Sequence, residues 1–154
     1  MKLLLARLKK RRLAVPLASV ERVLLRPRLE ILPDLPPWMA GFLQVAEGSL
    51  PVVDVAALFE GERCPWDLYN PIVITRDDGR LALLFSSVEG LAEVEPEQFR
   101  PLQSQDSFQG VAAALIQRSQ EWVPIIVPRL LLIDQERRKL EHWEQVLRQR
   151  QERL

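Results

Sequence analysis

The residues best suited to nucleophilic catalysis in this chain are one cysteine, Cys64, and one histidine, His142. A cysteine nucleophile needs a neighbouring base that holds it as the thiolate. His142 lies far along the chain in a charged segment, whereas Cys64 lies between Arg63 and Pro65 in an expected loop. The sequence therefore predicts an incidental thiol, an exposed histidine and no catalytic residues.

Metal and phosphate chemistry also lack a motif. No cluster of cysteine, histidine and aspartate has the spacing of a metal site, and no glycine-rich phosphate loop occurs. We therefore expect no metal, no cofactor and a protein that is not an enzyme. A single cysteine cannot form a disulfide within the chain, and this agrees with a reducing compartment.

The most specific arrangement of residues is the segment Gly41–Phe59, in which two apolar runs flank the pair Glu47-Gly48. A glycine here suits a turn that needs positive φ, so Met39–Val45 and Ser49–Val53 are expected to form a hairpin. Asp54 follows the second run and is a candidate N-cap for a helical turn. This order of features indicates a small barrel that binds other proteins.

Paired β-type runs occur on both sides of this hairpin. Leu3–Leu8 and Leu13–Pro16 flank a basic tip and are expected to be strands, although a helix over residues 1–12 is the alternative. Leu17–Val23 has the spacing of a short helix. Four prolines between residues 26 and 38 predict an extended crossing over the surface.

Further strands are expected in the second half of the chain. Asp78-Gly79, between the β-type runs 71–75 and 80–85, is a strong hairpin signal, and a strand is expected over 88–94. Residues 110–117 and 121–127 predict another hairpin. About ten short strands at this spacing predict an all-β sandwich or barrel.

The chain changes character after Pro128, which can open a helix. Residues 134–154 contain no glycine or proline, and Leu140, Trp143 and Leu147 fall on one helical stripe. We expect an amphipathic helix whose stripe folds onto the domain, pairs with its copy in a homodimer or binds a partner. An isolated helix of this length is marginal in water, so some surface should cover the stripe.

Charge is balanced over the whole chain but uneven along it. The 154 residues are 47% hydrophobic and carry no net charge. Residues 1–30 hold nine basic and two acidic side chains, whereas residues 65–110 hold three and eight. A small barrel that binds nucleic acid through the basic tip Lys9–Arg12 is the alternative function. The acidic middle and the lack of aromatic residues among the basic ones count against it.

Membrane and export signals are weak. The apolar run Leu3–Ala6 is too short for a signal-peptide core and is soon interrupted by basic residues. No stretch approaches the ~20 apolar residues that cross a bilayer. We therefore expect a cytoplasmic protein.

Spaced motifs follow one another in a recognisable order. They are Leu13–Leu17, Ile31–Trp38, Gly41–Val45, Pro51–Val55, Ile72–Ile74, Leu81–Gly90 and Gly110–Ala112. With these motifs in this order, residues 1–133 resemble the CheW-like domain family, the coupling adaptors of bacterial chemosensory arrays.

The resemblance implies a mainly β fold of two packed and interlocked five-stranded, SH3-like β-barrel lobes with short helices. These lobes would span residues 1–133, and residues 134–154 would form a C-terminal helical extension. It also implies a non-catalytic adaptor that couples a chemoreceptor to a CheA-type histidine kinase by docking the regulatory domain of the kinase, in swimming or twitching motility. Contact with a membrane would then run only through receptors, and nucleic acid would not be a partner.

The resemblance also implies a partner-binding surface at the central hairpin. Its expected residues are Leu43, Val45, Ala46, Glu47, Gly48, Pro51, Val53 and Asp54. The polar positions of the family differ here, because Ala46 stands where an arginine is usual, Arg22 where a glutamate is usual and Ser86 where an aspartate is usual. The apolar positions agree, so the sequence indicates the fold more strongly than the partner.

Overall fold

The computed structural model describes residues 1–25, 27–65, 70–76, 80–101, 112–132 and 134–153. In chain order, the strands are β1 (Lys2–Arg7), β2 (Arg12–Pro16), β3 (Val20–Leu25), β4 (Leu29–Glu30), β5 (Met39–Val45), β6 (Gly48–Asp54), β7 (Pro71–Thr75), β8 (Ala82–Leu84), β9 (Ser87–Glu93), β10 (Phe99–Pro101), β11 (Ala112–Arg118) and β12 (Glu121–Ile126). The α-helices are α1 (Val55–Glu60) and α2 (Asp134–Glu152). Single turns of 3₁₀-helix occur at Leu17–Ser19, Pro96–Gln98 and Pro128–Leu130.

The strands form two sheets of six strands each. The first sheet has the order β10-β11-β12-β2-β1-β9, and the second has the order β3-β7-β8-β6-β5-β4. Each sheet holds one strand more than the five expected per lobe, and each includes a very short edge strand, β4 with two residues and β10 with three. The mainly β fold with two lobes and few helices is therefore confirmed.

The two sheets are interlocked through the chain rather than formed by successive halves of it. The first sheet combines β1 and β2 from the start of the chain with β9–β12, while the second contains β3–β8. Each sheet also holds one parallel pair, β12 with β2 and β6 with β8, among antiparallel neighbours. The N-terminal hairpin of β1 and β2 is thus paired with β9 and β12, which lie much later in the chain.

One apolar cluster joins the two sheets. It contains Leu13 and Val15 of the first sheet and Phe42, Val52 and Leu83 of the second, all fully buried. A smaller cluster, which includes Leu5, Ile116 and Val123, fills the first sheet alone. The two sheets therefore share one large core, and the first sheet has a smaller core in addition.

One expected element differs in the structure. The short helix expected over Leu17–Val23 is a single 3₁₀ turn, because β3 begins at Val20 and pairs with β7. The β-branched residues of β3 and the ladder to β7 outweigh the helical spacing. β1 and β2 confirm the two strands expected at the start of the chain, and the alternative helix over residues 1–12 does not form. The expected turn at Asp78-Gly79 and the first two residues of the expected strand 110–117 lie outside the described residues.

Candidate functional site

The central hairpin consists of β5 and β6, in antiparallel register with Leu43 opposite Leu50 and Val45 opposite Gly48. The two turn residues are Ala46 and Glu47, one position earlier than the expected Glu47-Gly48. Gly48 is the first residue of β6 and has φ of +134°, which explains why glycine is needed there. The hairpin itself was predicted correctly.

Half of the residues expected to contact a partner belong to the core. Leu43 is 3% exposed, Val53 is fully buried, and Pro51 is also buried. Asp54 is buried as well, at 4% exposure. These four side chains are thus buried in the fold, and they leave little surface for a partner to contact.

The other four expected residues do reach the surface. Ala46, Glu47 and Gly48 are exposed, and Val45 is half-buried. They form the tip of the hairpin, which we call the β5–β6 turn (residues 45–48). This turn is what remains of the expected contact surface.

Asp54 has a structural role at the end of β6. Its Oδ1 accepts a hydrogen bond from the Ala57 backbone N–H at 3.1 Å, which caps α1 as expected. Its Oδ2 accepts from the Cys64 backbone N–H at 2.9 Å. Burial raises the pKa of Asp54, while these backbone N–H groups act in the opposite direction. One oxygen of the carboxylate thus caps α1, and the other holds the loop after it.

Charged residues distant in sequence surround the β5–β6 turn. Arg80 Nη1 lies 3.4 Å from Glu47 Oε2, and its Nη2 donates to Glu21 at the start of β3. The pKa of Glu47 is lowered by a hydrogen bond from its own backbone, by the bond from Arg80 and by the charge of Arg22. Although Ala46 carries no charge, Arg80 and Arg22 therefore supply positive charge beside the turn.

These arginines were missed from the sequence. Arg80 lies 33 residues from Glu47, and no local motif connects the two positions. Arg22 stood out only as a departure from the usual glutamate. The pairing of β3 with β7, and of β8 with β6, is what brings them to the same end of the second sheet.

Helix α2 packs on its own chain. Leu140 and Leu147 of the stripe are 5% and 1% exposed and belong to the apolar cluster shared by the two sheets. Trp143 is half-buried against the same cluster. Burial of two leucines stabilises the packed helix by about 3–6 kcal/mol before the entropy of ordering is subtracted. Because the stripe is already covered, the expected homodimer through it would first require that α2 leave the domain.

The C-terminal end of α2 lies beside the β5–β6 turn. Glu47, Gly48 and Ser49 line one side of an open cavity of about 190 Å³, and four residues of α2 line the other. The α2 residues are Glu144, Leu147, Arg148 and Gln151. Gln151 Nε2 donates to Ser49 Oγ at 3.4 Å across this contact. The turn that was expected to meet a partner is thus bordered by the chain's own helix.

The basic N-terminal tip is extensively paired with acidic residues. Lys9 Nζ lies 3.1 Å from Glu62, and the Lys10 backbone N–H donates to Glu60 at 3.0 Å. Arg12 Nε lies 3.2 Å from Glu89 Oε2, and Arg12 also faces Glu121 at 3.7 Å. Positive charge committed to these ion pairs is less available to phosphates, so the alternative of nucleic-acid binding gains no support.

The two residues first considered for catalysis have ordinary surroundings. Cys64 is buried, with Sγ 3.5 Å from Ser86 Oγ and from Asn70 Nδ2. His142 is exposed on α2 and meets Trp143 edge to face, with ring centroids 5.6 Å apart. The described part of the chain contains no group of three or more histidine, cysteine or acidic side chains arranged to hold a metal. Among the described helices, none combines the length and apolar character needed to span a bilayer.

Comparison with known proteins gives a family and a fold. A comparison by sequence with curated proteins finds no match. The crystal structure of the scaffolding protein TtCheW from Thermoanaerobacter tengcongensis is similar, with a TM-score of 0.71 at 15% identity, over 82% of this chain and 88% of that one. At this identity the likeness concerns the fold alone. The model of the CheW-like domain family matches residues 2–136. Since this match spans most of the length of the chain, the chain belongs to the CheW-like domain family.

Proposed function

We propose that this protein is a non-catalytic adaptor of a chemosensory signalling system that joins a receptor to a histidine kinase by protein–protein docking. The observation that carries the proposal is the family match over residues 2–136. The similar TtCheW is described as a scaffolding protein, which agrees with this role.

The surface that best suits docking is one end of the second sheet. The edge strand β3 exposes Val23 and Leu25, at 38% and 68%, beside its outer backbone edge. Arg80 links Glu21 of β3 to Glu47 of the β5–β6 turn. We call this set the β3 rim: Glu21, Arg22, Val23, Leu25, Arg80 and the β5–β6 turn.

The β3 rim combines the two features that docking requires. Its apolar residues supply contact area, and an open strand edge can pair with a strand of a partner. Its charged residues carry both signs in a connected network, which favours one partner over others rather than adding much affinity. The finer proposal is that the regulatory domain of the kinase binds this rim.

Reversal of the central charge tests the site. The variant Arg80→Glu places a carboxylate between Glu21 and Glu47, so binding of the kinase regulatory domain should weaken by about tenfold or more. Titration calorimetry with the purified domain measures the affinity. Arg118→Glu, which makes the same change at the β11–β12 turn of the first sheet, is the matched control and should bind as the unchanged protein does.

Two results would count against different parts of the proposal. Equal affinities of Arg80→Glu and Arg118→Glu would remove the β3 rim as the kinase site. No binding of the unchanged protein to any histidine kinase or receptor encoded in the same genome would contradict the adaptor function itself.

A further inference from the structure

Helix α2 lies in a groove made by the β5–β6 turn and β6. We call this groove, formed by residues 45–54, the α2 groove. The helix presents Leu140, Trp143 and Leu147, at positions i, i+3 and i+7, to the domain. This spacing is the one by which a separate amphipathic helix binds a groove. The α2 groove therefore already holds a ligand of that kind, supplied by the same chain.

The helix is held unevenly along its length. Leu140 and Leu147 are almost fully buried, whereas Arg148 and Gln151, towards the C-terminal end, are exposed beside the cavity of about 190 Å³. Two carboxylates, Glu47 from the turn and Glu144 from the helix, line that cavity together. The hydrogen bond from Gln151 to Ser49, at 3.4 Å, is long. An element held by a few apolar contacts and an imperfect polar end is the kind that opens locally without global unfolding.

We propose that α2 is an intramolecular competitor: it occupies the α2 groove reversibly, and an amphipathic helix of a partner binds there when α2 detaches. The partner helix would carry apolar residues at i, i+3 and i+7. It would also carry a basic residue at i+8, since Arg148 holds this position in α2 and lines the cavity with Glu47. The inference rests on the proposed adaptor function, because the α2 groove shares the β5–β6 turn with the β3 rim.

The groove can be tested without any partner protein. The probe is a labelled synthetic peptide of residues 134–154, titrated into the full-length chain and followed by fluorescence anisotropy. In the unchanged protein the attached helix competes at high effective concentration. In Leu147→Glu the attached helix is weakened while the groove keeps its residues, so the peptide should bind about tenfold tighter or more.

Matched controls distinguish binding of the peptide in the groove from nonspecific binding. Gln149→Glu, on the exposed face of α2, should bind the peptide as weakly as the unchanged chain does. A peptide that carries Leu140→Glu and Leu147→Glu should not bind the Leu147→Glu chain. Equal peptide binding by the unchanged, Gln149→Glu and Leu147→Glu chains would overturn the proposal.

Two further measurements keep the test decisive if Leu147→Glu fails to fold. Leu147→Ala is milder and should shift peptide binding in the same direction. Hydrogen exchange of the unchanged protein should release the amides of α2 before those of β5 and β6 in the absence of denaturant. Exchange of α2 and β6 at one common rate would contradict reversible detachment.

A last comparison distinguishes this inference from the adaptor function. Release of α2 by Leu147→Glu should also raise the affinity for the receptor or kinase partner whose helix uses the groove, and unchanged affinity for both would overturn the competition. A concentration-dependent dimer of Leu147→Ala would instead assign the groove to a second copy of the chain. If the peptide binds but no kinase or receptor does, the groove stands and the adaptor function fails.

Discussion

At the scale of single residues, Asp54 shows how a position expected at an interface can be committed to the fold. Its two carboxylate oxygens accept from two separate backbone N–H groups, those of Ala57 and Cys64. Asparagine offers one acceptor oxygen and a donor group, so it can satisfy only one of them. The requirement for aspartate therefore follows from the loop after α1 and needs no partner.

The first prediction concerns this residue. Asp54→Ala should lower the free energy of unfolding by about 1–3 kcal/mol, because it removes the cap and leaves a buried N–H unpaired. Asp54→Asn should cost less, since it keeps one bond and removes a charge whose pKa burial raises. Chemical denaturation measures both. The exposed Glu97→Ala is the control, and equal stability of Asp54→Ala and this control would contradict the assignment.

The second prediction is a pH dependence at Glu144. Burial raises its pKa above the ordinary 4.5, as does Glu141, while Arg148 lowers it. Docked α2 therefore binds the proton more tightly than detached α2, and the contribution of this group to docking is greatest below pH 4.5 and falls as pH rises through the raised pKa. Glu144→Gln should accordingly be more stable than the unchanged protein at pH 7, with a smaller difference at pH 4.

Denaturation of both proteins across that pH range provides the measurement. Glu47, which shares the cavity, and Arg148 are kept unchanged so that the charges facing Glu144 stay the same. Glu152→Gln, exposed near the end of the same helix, serves as the control and should show no such pH dependence. A stability gain that is equal at both pH values would rule out the raised pKa as its cause.

At the scale of elements, the close approach of β4 to β5 depends on one glycine. Gly41 has φ of +151°, and a Cβ built there would lie 2.8 Å from the Glu30 carbonyl oxygen. The neighbouring residues Phe42 and Leu43 pair with Glu30 and Leu29 in the β4–β5 ladder. The backbone of β4 thus lies where a larger residue would have its side chain.

Gly41→Ala should therefore both destabilise the fold and loosen β4. Gly90→Ala is an unusually close control, because Gly90 has φ of +137° and open space around its Cβ position. The control carries the backbone strain alone, about 1–3 kcal/mol, and the steric overlap should add to this in Gly41→Ala. Denaturation gives the difference, and faster hydrogen exchange in the β4–β5 ladder locates it. Equal losses in the two variants would mean that β4 moves aside without cost.

Local signals in the sequence predict the individual strands and turns better than they predict which strands become neighbours. The β5–β6 hairpin and the Asp54 cap were predictable, because a glycine, a proline and an aspartate act within a few residues of themselves. The 3₁₀ turn at Leu17–Ser19 was not, since the pairing of β3 with β7 overrides the local spacing. For the same reason Arg80 beside Glu47 and the place where α2 packs could not be predicted: both depend on which strands become neighbours.

At the scale of the whole molecule, the shared apolar cluster makes the two sheets one thermodynamic unit. Leu13 of β2 and Leu83 of β8 belong to the same cluster. Leu13→Ala and Leu83→Ala should each lower stability by about 2–5 kcal/mol while preserving a single unfolding transition. Calorimetry, with agreement of calorimetric and van't Hoff enthalpies, is the measurement. Leu91→Ala, at a site 64% exposed, is the control, and separate transitions for the two lobes would refute the shared core.

The pairing of the N-terminal hairpin with β9 and β12 also sets an order for folding during synthesis. The second sheet is complete once residue 84 has left the ribosome, whereas β1 finds its neighbour β9 only with residues 87–93, and β2 finds β12 later still. Chains with such distant pairings fold more slowly than chains with local ones. β1 and β2 are thus synthesised well before β9 and β12, and their apolar residues between Leu3 and Val15 need protection until those strands emerge.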